Sequence, residues 1–216
     1  MAESTRWAIA EFATEFLDPI IDACVNHPVV QAIPVLGAVV RAAQLRASIS
    51  DRIFFVKISR LLDPLSEIDV EEAERFARKM EADPESAQRA GQTLVLAIDA
   101  LNDLEKARVL AYVFRAYLRA EIGLESLQRL CAAVNLGYVD DLWSLAEISD
   151  SSTPDEEFRR RLGAFHALRV TGLTALSDTA FAFAGKKSFI STALTPLGET
   201  LGRILRNSGD PRATSA

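Results

Sequence analysis

Apolar side chains recur at steps of three and four along most of the chain, the spacing of a helix with one buried stripe. The first series is Trp7, Ala10, Ala13, Leu17, Ile21 and Cys24, widened by Phe12 and Phe16. Ser4 or Thr5 supplies its cap, Asp18-Pro19 can restart the helix, and His27-Pro28 ends it. Residues 29–62 begin with an uncharged run interrupted by Pro34 and Gly37. From Arg41 onward Leu45, Ile49, Ile53 and Val56 share a stripe, broadened by Phe54, Phe55 and Ile58.

Clean helix starts follow. Asp69 with Glu72, and Asn102 with Glu105, have capping-box spacing, and Asp83-Pro84 sets a cap before a first-turn proline. Helices are predicted over 70–81, 84–100 and 103–120, then over 124–136 and 139–148 around Gly137. Leu94, Ile98 and Leu101 stripe one of them; Leu104, Ala107, Leu110, Ala111, Phe114 and Leu118 stripe the next. Residues 149–153 (Ser-Asp-Ser-Ser-Thr) read as a linker. Thr153, Pro154 and Glu156 then open a helix that should stop at Gly172. Beyond it the period falls to two. Strands are expected over 173–184 and 188–193 about a Gly185-Lys186-Lys187 turn, and Thr195-Pro196 caps a last helix.

This pattern predicts a mainly α fold: a helical bundle over 1–150, a hairpin with a final helix over 151–207, and a disordered tail over 208–216. With 216 residues, 49% of them hydrophobic, the chain can bury a sizeable core. The N-terminus lacks the basic region and unbroken apolar run of a signal peptide, so a cytoplasmic protein is expected. Cys24 and Cys131 are then read as buried thiols, although their number alone would allow a disulfide. The apolar run before Arg41 is too short to span a bilayer, which takes about 20 residues.

The order helix, hairpin, then Leu194-Thr195-Pro196-Leu197-Gly198-Glu199 resembles the C-terminal part of a winged-helix domain. In DNA-binding winged helices the helix before the wing enters the major groove. That resemblance implies nucleic-acid contact through Arg159, Arg160, Arg161, Arg169, Lys186 and Lys187. Asp155, Glu156 and Glu157 on the same helix face phosphates badly, and a protein-binding or supporting role fits the shape equally. The stretch 98–122, with Ile33-Pro34-Val35-Leu36-Gly37 and Asp51-Arg52-Ile53-Phe54, is similar to an uncharacterised class of bacterial helical proteins and implies no activity.

Charge is uneven along the chain. Residues 1–150 carry 15 basic and 24 acidic side chains, net −9; residues 151–216 carry 9 and 6, net +3. Catalytic and metal-binding patterns are missing. His27 and His166 have no partners at metal-ligand spacing, and no nucleophile elbow, phosphate loop or dinucleotide fingerprint occurs. Asp99 and Asp103 would lie one turn apart on a continuous helix, but helix capping explains them better. No cofactor is expected. The leading expectation is a non-enzymatic interaction or regulatory module working through residues 29–62. There Arg41, Arg46, Arg52, Lys57 and Arg60 interleave with apolar positions, opposed only by Asp51. Such a segment can occupy a partner protein's groove, mediate self-association or lie on an anionic membrane surface. A DNA-binding regulator using the wing is the alternative.

Overall fold

A computed structural model describes residues 49–148 apart from 67 and 69, then 166–177 and 191–213, and nine single residues between 22 and 41. The fold is mainly α, with one two-stranded hairpin near the C-terminus. It divides into two compact units, Met1–Leu124 and Glu125–Ala216.

In the first unit α1 (Ile49–Leu65) lies along α4 (Glu105–Leu118). Phe55, Ile58, Leu61, Leu62 and Leu65 of α1 are buried. Nearly every residue of α4 is buried too, which makes it the central helix of this core. Between them in sequence, α2 (Val70–Ala82) packs on α3 (Pro84–Asp99), and α3 on α1. Ala90, Leu94, Ala97 and Ile98 form the buried face of α3. Its start is as expected: Asp83 accepts a hydrogen bond from the Ser86 amide at 3.1 Å, with Pro84 in the first turn.

The start of α4 differs from the sequence reading. The helix opens at Glu105 with Leu104 at the N-cap position and no side-chain cap there; Asp103, one residue further back, accepts from the Glu105 amide at 2.8 Å. Asn102, the expected cap, instead accepts from Lys106 Nζ at 2.8 Å. At the far end Glu121 N–H donates to the Ala116 carbonyl and Ala120 N–H to that of Tyr117, a Schellman closure. Ala120 takes the left-handed position with φ 59.

The second unit holds α5 (Leu124–Leu136) and α6 (Val139–Ile148), whose bounds match the sequence prediction. Leu127, Leu130, Cys131 and Val134 of α5 and Leu142, Leu145 and Ala146 of α6 are buried. A 3-10 turn (Leu168–Thr171) ends at Gly172, in the left-handed conformation with φ 75. Strand β1 (Thr174–Ser177) then pairs antiparallel with β2 (Ser191–Leu194), in the register Thr174↔Leu194 to Ser177↔Ser191. Thr195 caps α7 (Pro196–Arg206), its Oγ1 accepting from the Gly198 amide at 3.1 Å.

Helix α7 packs on α6. Two glycines let α7 approach its neighbours, Gly202 at α6 and Gly198 at the chain just before β1. A Cβ on Gly198 would collide with the Leu173 carbonyl oxygen, and one on Gly202 would meet that of Leu145 at 2.7 Å. The stretch after Asn207, where periodicity predicts no order, folds into a 3-10 turn (Pro211–Ala213) against α6. Ser208 and Asp210 are buried, and the Arg212 guanidinium sits 5.9 Å from the centre of the Trp143 ring. Helix α6 and helix α7, which flank the predicted linker in sequence, thus belong to one compact unit. The linker itself lies outside the described residues.

Candidate docking groove beside helix α1

Helix α1 does not present the stripe that its sequence suggests. Phe55 and Ile58 turn inward, while Ile53, expected on the buried stripe, is 51% exposed. Val56 is half-buried. Ile53 and Val56 line one wall of an open groove of about 390 Å³. The turn between α3 and α4 makes the other wall, from Leu101 to Leu104. Leu104 heads the predicted stripe of α4, but it precedes the first helical residue and is 38% exposed. Leu101 is buried at the groove's floor.

Polar groups rim this apolar wall. Lys57 Nζ donates to the Asp99 carbonyl at 2.8 Å, placing an ammonium on the last turn of α3, where the helix dipole favours a cation. That bond also fixes the groove, because it ties α1 to the α3–α4 turn from 42 residues away. Arg60 follows one turn later on the same helix and is exposed. Asn102 and Asp103 complete the lining, their side chains held by Lys106 and by the Glu105 amide. Lys106 itself is buried, and its ammonium is held below the usual lysine range by desolvation, which the nearby Asp103 partly offsets.

No family model, curated protein or solved structure matches the chain. Function is therefore read from the geometry.

Of the basic residues expected to meet a partner, Lys57 lines the groove, Arg60 is exposed one turn further along α1, and Arg41 is exposed. Arg46 and the side chain of Arg52 lie outside the described residues. So do Arg159, Arg160, Arg161, Lys186 and Lys187; of the residues assigned to nucleic acid, Arg169 is described, and it is exposed in the 3-10 turn. Asp99 and Asp103 do not share a helix face, since α3 ends at Asp99. Among the described residues no group of three His, Cys, Asp or Glu is placed to hold a metal ion, and no helix is long and apolar enough to cross a membrane. Cys24 and Cys131 are both free and buried. Burial pushes the Cys24 thiol up to about 11 and the Cys131 thiol up to about 12.

Sequence reading singled out residues 29–62, with Lys57 and Arg60 among them, but set Ile53 and Val56 on the apolar stripe of α1 and Leu104 on that of α4, and so foresaw neither apolar wall of the groove. The available signal was Leu104 directly after Asn102-Asp103. A leucine at the N-cap position stands ahead of the first helical turn and is not carried into the core with the rest of the stripe.

Proposed function

We propose that the chain is a non-enzymatic interaction module whose partner is a protein segment with aliphatic and acidic side chains. The observation that carries this reading is the groove between Ile53, Val56, Leu101 and Leu104, with Lys57 in its lining and the exposed Arg60 one helical turn further along α1. An exposed isoleucine next to an exposed leucine in a shaped recess marks a contact surface, whereas scattered apolar residues do not. About 390 Å³ takes two or three aliphatic side chains, not a whole helix. An amphipathic segment would thus seat anchors spaced three or four residues apart. Arg60 would then meet a carboxylate on the segment, fixing its direction more than its affinity.

A displayed library of random 16-residue peptides, selected on the whole protein, tests the reading. Winning peptides should converge on paired aliphatic residues with an acidic neighbour and should lose binding to Ile53→Glu. Peptides that bind the variant equally well, or no convergence, would overturn it. Flotation with phosphatidylglycerol vesicles but not with neutral ones would favour a membrane surface as the occupant instead. Concentration-dependent sedimentation abolished by Ile53→Glu would favour a second copy of the chain.

A further inference from the structure

We propose that Lys57 is the positioning residue of the groove: it holds the α3–α4 turn where a segment can enter, and it does not read the segment's charge. This rests on the docking function proposed above. Leu101 to Leu104 belong to no helix, so the wall they make has to be fixed from outside. Three fastenings are local. Leu101 N–H donates to the Ile98 carbonyl, Asn102 accepts from Lys106 Nζ, and Asp103 accepts from the Glu105 amide. Each of these joins the turn to α3 or α4. Lys57 Nζ instead reaches across from α1 and donates to the Asp99 carbonyl at 2.8 Å, where α3 ends and the turn begins. The last four carbonyls of a helix have no partner within it. One bond therefore satisfies a group that α3 leaves open and joins the two walls of the groove.

The same placement takes Lys57 out of charge recognition. Its ammonium is offset by the negative end of α3 and by Asp103, which lines the groove with it. Little positive potential is left in the lining for a carboxylate on the segment. Arg60, exposed one turn further along α1, is the cation that remains for it. A wall fixed beforehand spares the segment the cost of ordering it. If the wall is in place in only a fraction of molecules, apparent affinity falls by that fraction. Such a loss appears as slower association, whereas a lost contact appears as faster dissociation.

Lys57→Met in the whole protein, which keeps the apolar stem and removes the donor, tests this in two ways. With no peptide present, the Ala100 and Leu101 amides, which donate to Leu96 and Ile98, should exchange hydrogen about fivefold faster, and those of 109–118 should not change. A library-selected peptide that loses binding to Ile53→Glu should then associate with the variant about fivefold more slowly and dissociate at the same rate. A copy of that peptide with its acid changed to glutamine should lose by the same factor. Unchanged exchange at Ala100 and Leu101 would overturn the proposal, and so would faster exchange spread evenly over 109–118. A loss confined to the acidic peptide, or one seen in dissociation alone, would make Lys57 a direct contact and overturn it as well. If no peptide depends on Ile53, the docking function fails, and exchange at Ala100 and Leu101 still decides whether Lys57 holds the turn.

Discussion

Ala120 occupies a position that glycine would hold without strain. At φ 59 its Cβ crowds the backbone, yet the Schellman bonds at the end of α4 require that conformation. Ala120→Gly should therefore stabilise the protein by about 1 kcal/mol, after the larger chain entropy of unfolded glycine is set against the relief. Thermal unfolding should shift upward by roughly 2–4 °C. A fall would show that the closing turn is strained elsewhere. Gly202 is the opposite case. Its missing Cβ is what lets α7 approach the Leu145 carbonyl, so Gly202→Ala should destabilise by roughly 1–3 kcal/mol in denaturant titration. Cys131 offers a chemical test. A thiol raised to about 12 supplies almost no thiolate at pH 8, so alkylation there should require unfolding. The sign for stability follows. Unfolded cysteine ionises near 8.5, so the folded state binds the extra proton above that pH. Stability from this group is complete below about 8.5 and declines as pH rises toward 12.

Single caps and stripes decide the elements. Thr195 ties two of them together: it caps α7 through the Gly198 amide, and its hydroxyl donates to the Gly172 carbonyl at 2.8 Å, at the end of the 3-10 turn. Thr195→Ala should cost about 1–2 kcal/mol, and Ser in its place should restore most of that. In α4, Phe114 is fully buried, and Phe114→Ala should cost about 3–5 kcal/mol through lost burial and the cavity left behind. An unchanged melting temperature would remove α4 from the centre of the core. These two helices were legible because their signals are local: a Thr-Pro cap, a stripe at steps of three and four, and Gly172 where a left-handed residue was needed. The rotation of α1 was not legible. Its apolar positions nearly encircle the helix, so periodicity could not choose between Ile53 and Phe55; packing along α4 chose Phe55. Asn102 failed as a cap for a related reason. Two acceptors stand side by side before Glu105, and the spacing rule cannot tell which one the turn will aim.

At the scale of the molecule, the division into units changes what the charges mean. Counted about residue 150, the C-terminal part is basic. Counted by compact units, Met1–Leu124 has 14 basic and 19 acidic side chains, net −5, and Glu125–Ala216 has 10 and 11, net −1. The excess of arginine and lysine after 150 is cancelled within its own unit by Glu125, Asp140, Asp141, Glu147 and Asp150. No sequence signal near 124 announced that boundary. It arises because α6 pairs with α7 across about fifty intervening residues, a long-range choice that local patterns do not record. A net charge of −1 gives the unit no overall attraction for phosphates, the term that supplies most non-specific DNA affinity. Arg206, moreover, is already engaged, donating to the Ala146 carbonyl at 3.1 Å. In a gel shift at 50 mM salt, micromolar protein should leave a 30-base-pair duplex unretarded. Retardation that vanished steeply between 50 and 200 mM would mean that several cations converge on phosphates despite the neutral sum. Arg159, Arg160, Arg161, Lys186 and Lys187 would then be the first to replace.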